Sequence, residues 1–213
     1  MQNNWKTPTS WEIIEVSGLA WSGKMPGAWG KMNGAPVDLS FKQIKSMAEA
    51  LTEEPRQGLR ALERNEQKRF CSRALRLSNN QIKELIGFTD AIITMLSEPF
   101  QLAWVDLSFN VIPCIDPVLT ELPELRVLYL HGNKISKLSE VDKLGTLPNL
   151  HTLTLHGNAI ENEKGYRGYV IQMVPHLKSM DFCGITKEER VLARIWLRAS
   201  MRGKPTRTKI NQE

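Results

Sequence analysis

The side chains best placed to do chemistry are two histidines, His131 and His156, each followed by Gly-Asn in otherwise similar segments. If those segments are adjacent strands, the two rings come to within about 5 Å of one another. With Cys183 nearby, they invite a zinc site. Zinc frameworks, however, are built on Cys-x2-Cys or His-x3-His spacing, which is missing here, so histidines that bond turn backbone or solvent are the favoured reading. Glu188 and Glu189 open a predicted helix, where capping and the helix dipole account for them. There is no Gly-x-Gly-x-x-Gly, phosphate-binding loop, Gly-x-Ser-x-Gly or His-Glu-x-x-His. The expectation is a chain that is not an enzyme and takes no cofactor and no metal.

What positions the histidines is a repeat. Leu125-Arg-Val-Leu128-Tyr-Leu130-His-Gly-Asn133-Lys-Ile135 has leucines at offsets 0, 3 and 5, then Asn and Ile. A short strand with one face inward, followed by a sharp turn, requires that order. Relatives of it end at Asn80, Asn110 and Asn158, so the four asparagines lie 30, 23 and 25 residues apart. The asparagines are expected to be structural, their amides bonding backbone groups that the turn leaves unpaired. Asn80 belongs to a degenerate unit, with Ser72 where a leucine is expected, and reads as the terminal repeat. The fold class that follows is α/β, a short leucine-rich-repeat solenoid of about five strands with N-terminal and C-terminal helical caps and irregular tails at both ends.

Residues 1–37 form a Trp-rich arm with Trp5, Trp11, Trp21 and Trp29, an apolar load that suits burial in a partner's grooves. Residues 38–71 form the N-terminal cap and a charged connection. Here Ser40 to Gln43 reads as a capping box, with Leu39 stapled to Ile44 and a stripe of Ile44, Met47, Ala48 and Leu51. The repeats occupy 72–160. Within them, Thr89-Asp90 is expected to cap a convex-side helix carrying Ile92, Ile93 and Leu96, and Asp116-Pro117 to start a shorter one. The C-terminal cap covers 161–197. In it Thr186 to Glu189 is a second capping box, opening a helix with Val191, Ile195 and Trp196 inward. Residues 198–213 are a basic tail, with five cationic residues against Glu213, and hold most of the net charge of +5.

Cys71, Cys114 and Cys183 do not make a disulfide framework in a chain of 213 residues, and they read as small buried fillers in a reducing compartment. Neither a signal-peptide pattern nor an apolar run of about 18 residues is visible, so a soluble intracellular protein without membrane contact is expected.

The segment from Asn158 through Tyr166-Arg167, Pro175, Leu177, Asp181 and Thr186 to Arg190 resembles the C-terminal cap of short leucine-rich-repeat proteins. That class includes a nuclear phosphatase regulator, a spliceosomal ribonucleoprotein component and axonemal proteins. Asp38 to Phe41, Glu54 to Leu59, Leu102 to Asn110, Asp116 to Thr120, Val127 to Asn133 and Glu163 to Arg167 resemble, more narrowly, one family of such proteins over residues 38 to 197. The resemblance implies a non-enzymatic cytoplasmic protein of ciliated cells.

On the concave face the outward positions form three columns: Ala74, Trp104, Val127, Thr152; Arg76, Asp106, Tyr129, Thr154; and Ser78, Ser108, His131, His156. Trp104 is expected to be exposed beside Tyr129 as a recognition anchor, with Arg76, Asp106, His131 and His156 around it. The function expected is a protein-interaction module built into ciliary or flagellar axonemal microtubules. Its partners would be tubulin, whose acidic surface suits the basic tail, and other axonemal proteins. No specific nucleic acid and no homo-oligomer are implied. The alternative is a cytoplasmic adaptor or regulatory subunit of a phosphatase or ribonucleoprotein complex.

Overall fold

The computed structural model describes residues 34–202. Trp5, Trp11, Trp21, Trp29 and the basic residues from Lys204 onward lie outside the described residues. The described chain forms one sheet in chain order: β1 (Val37–Asp38), β2 (Ala74–Arg76), β3 (Trp104–Asp106), β4 (Val127–Tyr129), β5 (Thr152–Thr154), β6 (Ser179–Met180) and β7 (Cys183–Gly184). Neighbours from β1 to β6 run parallel, and β7 turns back antiparallel on β6.

The leucine offsets become columns. Val37, Leu75, Val105, Leu128, Leu153 and Met180 stand in register, fully buried. Leu39, Leu77, Leu107, Leu130 and Leu155 form the next buried column, and Leu102, Leu125, Leu150 and Leu177 another. No unit closes a core by itself, and stacking makes these columns continuous.

The asparagines form a ladder. Asn133 Nδ2 donates to Leu107 O (2.9 Å) and Leu130 O (3.0 Å), while its Oδ1 accepts from Ile112 N (3.0 Å). Asn110 and Asn158 do the same one repeat before and one after. Each shared carbonyl therefore takes two amides: Leu107 O from Asn110 and Asn133, Leu130 O from Asn133 and Asn158.

Seven strands replace the expected five because both caps extend the sheet. At the N-terminal end a further repeat was hidden: Val37-Asp-Leu-Ser-Phe41 matches Val105-Asp-Leu-Ser-Phe109 residue for residue, with Lys42 in place of the asparagine. Asp38 Oδ1 accepts from Ser40 N (3.0 Å) and Ser40 Oγ (2.6 Å), as Asp106 Oδ1 does from Ser108. Asn80 is therefore not terminal. It donates to Leu39 O and Leu77 O and accepts from Lys42 N and Ile44 N. Ser72, in the leucine slot, is buried and donates to Ala35 O (2.6 Å), holding the incoming chain.

This hidden turn displaces the cap helix. Phe41 and Gln43 have positive φ, so Ser40 cannot cap. The helix α1 is Met47–Thr52, and its box is Ser46 with Glu49: Ser46 Oγ accepts from Glu49 N, and the Glu49 carboxylate accepts from Lys45 N. Its buried stripe is Ile44, Met47 and Ala50, whereas Ala48 and Leu51 are exposed. The convex helix α2 (Phe88–Met95) starts one residue earlier than expected, from Gly87 at φ 77°, and Thr89 and Asp90 lie inside its first turn. Ile92 is buried and Ile93 exposed. Later convex connections are 3-10 turns, one begun by Asp116 accepting from Val118 N with Pro117 first.

The C-terminal cap pairs α3 (Tyr166–Met173) with α4 (Lys187–Arg202). Thr186 and Glu189 make the reciprocal box. Arg167 ties both together, bonding Glu189 (2.7 Å), Met180 O and Gly184 O, and this bond from Arg167 holds the Glu189 carboxyl below its ordinary range. Val191 and Ile195 are exposed rather than inward. The residue that packs is Ala193, because Trp196 lies so close over Gly165 that only a small side chain fits beside it. Cys114 and Cys183 are exposed and Cys71 half-buried, so they are not core fillers.

Candidate functional site

The concave columns come together in the expected register, but burial divides them. Trp104 is not an exposed anchor: it is 8% exposed, clustered with Ala74 and Val127. Strands about 4.8 Å apart let the long side chains of the neighbouring column close over it. Tyr129 packs edge-on at 5.9 Å, and the Arg76 guanidinium lies 5.5 Å from the indole centroid. Arg76 reaches Asp38 Oδ2 (3.5 Å) and Asp106 Oδ2 (3.4 Å) from its place between them. Asp106 is thereby buried and paired, not an open contact. Burial, then the Asp106 charge, pushes the Tyr129 hydroxyl above its ordinary pKa, so it stays a neutral phenol.

His131 and His156 stack face to face, ring centroids 4.7 Å apart and planes 8° from parallel. His131 Nδ1 lies 2.8 Å from Thr154 Oγ1, and His156 Nδ1 lies 3.3 Å from Asp181 Oδ1. Asp181 is an organiser that sequence reading placed only in the cap. Its Oδ1 accepts from Leu155 N (2.7 Å) and His156 N (3.0 Å), and its Oδ2 from the Tyr166 hydroxyl (2.9 Å). Burial opposes its ionisation, yet these bonds together hold its carboxyl below the ordinary value. With each Nδ1 directed at a protein oxygen, the histidine pair is a stacking platform rather than a convergent ligand set.

Burial, then the neighbouring His156, lowers the His131 pKa to about 4. Its unfolded counterpart titrates near 6.5, so between those values the unfolded chain binds the extra proton and stability rises with pH. The contribution is complete above about pH 6.5 and is lost as pH falls toward 4. Urea titrations at pH 7 and pH 5 are expected to differ by about 2 kcal/mol from this group, and His131→Gln is expected to remove that difference. An unchanged difference in the variant would place the titrating group elsewhere.

The rim holds residues that sequence reading did not single out. The position before each ladder asparagine is left-handed: Asn79, Phe109, Gly132 and Gly157, with Phe41 in the hidden repeat. Phe182 is left-handed too, beyond β6. Glycine or asparagine adopts this conformation cheaply, while another L-residue pays about 1–2 kcal/mol. Yet Phe41, Phe109 and Phe182 sit there, 51%, 40% and 52% exposed. Phe109 lies edge-on to His131 at 5.0 Å, and a Cβ on Gly132 would stand only 2.6 Å from its ring. Phe182 packs on Tyr129, His131 and His156 at 5.5–5.6 Å. The signal was available in the doubled Leu-Ser-Phe of 39–41 and 107–109. The accessible part of the candidate site is thus the three phenylalanines with half-buried Tyr129, His156 and Arg76, rather than Trp104, Asp106 and His131 beneath them.

Residues 68–210 match the leucine-rich repeat family model. Leucine-rich repeat-containing protein 51 of Bos taurus is 47% identical over 176 residues, covering 83% of this chain and 92% of that protein. The Homo sapiens protein of the same name is 46% identical with the same coverage. The U2 small nuclear ribonucleoprotein A' of Arabidopsis thaliana is 35% identical over 120 residues, covering 55% of this chain and 44% of that one. Among solved structures, the Drosophila melanogaster SNF/U2A' complex contains a chain that superposes with a TM-score of 0.55 at 24% identity, over 76% of this chain and 81% of that one. The repeat columns, the asparagine ladder and an alignment spanning most of both sequences agree: the chain belongs to the leucine-rich-repeat family and, within it, to the group of leucine-rich repeat-containing protein 51.

Proposed function

We propose that this chain is a non-enzymatic structural component of ciliary or flagellar axonemal microtubules, a cytoplasmic protein that binds its partners through the aromatic rim of its concave face. The family supplies protein-interaction modules. The observation that carries the choice of surface is the set of phenylalanines at Phe41, Phe109 and Phe182, kept exposed in a backbone conformation that disfavours them. Such strain is retained where function requires the side chain. The axonemal assignment is supported by the motif resemblance over 38–197 and by the basic tail, which suits acidic tubulin.

Fractionation of ciliated cells tests the assignment: the protein is expected in salt-resistant axonemes. Recovery in soluble phosphatase or splicing complexes would favour the second reading, a regulatory or ribonucleoprotein adaptor, to which the likeness to U2 small nuclear ribonucleoprotein A' lends some support. Phe41→Asn with Phe182→Asn tests the surface. Asparagine accepts left-handed backbone, so melting is expected to hold while retention weakens by about 2 kcal/mol. Unchanged retention would remove the rim from the interface.

The tails divide by salt in the same proposal. Exposed charge attraction fades as the Debye length falls to about 3 Å at 1 M, whereas apolar burial does not. Deleting 198–213 is therefore expected to weaken microtubule co-sedimentation only at low salt, and deleting 1–33 to abolish it at high salt. Equal losses from both deletions would end that division.

A further inference from the structure

At the N-terminal end of the solenoid, away from the aromatic rim, a groove of about 880 Å³ runs between the connection after α1 and the outer edge of β1. Its lining includes Arg56, Arg60, Arg64 and Arg76 against two acids, Asp38 and Glu54, so it carries a surplus of positive charge. Apolar surface alternates with that charge. Leu59 stands fully in water, Leu62 is half-buried, and the ring of Phe70 lies under the Arg64 guanidinium at 3.9 Å.

The wall has a second property. Residues 54–63 form neither helix nor strand. Arg56 N donates to Asp38 O (2.7 Å), which fixes the start of the segment against β1. Beyond it, the main chain of Gln57, Gly58, Leu59, Ala61 and Leu62 makes no hydrogen bond to another segment among the described residues. A run of main-chain donors and acceptors beside a groove is matched by another peptide main chain, which offers both kinds of group. A nucleic-acid backbone offers acceptors and, at most, sugar hydroxyls. Guanidinium groups on the same wall suit carboxylates, which they can grip with two parallel bonds.

We infer that this groove is a docking site for an extended acidic peptide that alternates carboxylate and apolar side chains. The main chain of residues 57–62 pairs with the peptide backbone, the arginines take its carboxylates, and Leu59 with Leu62 takes its apolar residues. The site is separate from the rim and does not depend on the identity of the filament.

Fluorescence anisotropy of the full chain with a labelled synthetic peptide alternating Glu and Val tests this. The peptide is expected to bind at least about tenfold more tightly than its Lys–Val counterpart. Arg56→Glu with Arg60→Glu, both on exposed side chains, is expected to lower affinity about tenfold or more with an unchanged melting temperature. The basic tail is intact in both proteins, so it cannot produce that difference. Leu59→Asp is an independent variant, expected to weaken the peptide severalfold. Equal binding by the parent and the charge-reversed chain would overturn the site. So would a single-stranded polyuridine oligonucleotide that binds more tightly than the peptide and is lost in the same variant, since the groove would then read phosphate.

Discussion

A Trp104→Ala chain is expected to lose about 4 kcal/mol of stability, because deleting a buried indole removes its transfer energy and leaves a cavity. The ring fills the space over Ala74 and Val127 and is closed in by Tyr129 and Arg76. Urea denaturation followed by circular dichroism reads the loss directly. Trp104→Phe, which keeps an aromatic ring in the same slot, is expected to lose less than half as much. A change below about 1 kcal/mol for the alanine variant would show that the indole does not hold the sheet face together. The strand register is not what makes Trp104 structural: it pairs with Ala74 and Val127 as its sequence position requires. Its neighbours' reach is what buries it.

Asn133→Ala is expected to cost about 3 kcal/mol. It orphans the buried Ile112 N–H and removes one of the two amides from both Leu107 O and Leu130 O. Asn80→Ala is expected to cost about as much, since the hidden repeat gives it two backbone donors and two carbonyls. The sharper test is coupling. Asn110→Ala with Asn133→Ala strips both amides from Leu107 O, so the double variant is expected to exceed the sum of the singles by about 1 kcal/mol. Strict additivity would mean that solvent or a shifted backbone satisfies that carbonyl.

The inward residues were legible in the sequence because leucine spacing at 0, 3 and 5 is a direct image of strand pleat and turn. Two cap features were legible for the same local reason. Thr186 and Glu189 cap a helix through atoms three residues apart, and Asp116-Pro117 starts a turn. The hidden first repeat was legible in principle, since Val37 to Phe41 duplicates Val105 to Phe109. It was obscured because Lys42 replaces the asparagine and Ser40 to Gln43 imitates a capping box.

What the sequence by itself determined about this protein is its repeat: the columns of the core, the ladder of asparagines and the identity of the face that points outward. Those properties follow from contacts within one unit or between identical positions of successive units, so periodicity encodes them. Only the tertiary structure decided which outward residues meet a partner. Trp104, Asp106 and His131 are covered by side chains from other strands, while Phe41, Phe109 and Phe182 are lifted into solvent by left-handed backbone. The groove beside residues 54–63 likewise exists only because a connecting segment returns to the edge of β1. Exposure depends on what residues distant in the chain leave uncovered, and no local spacing carries that information.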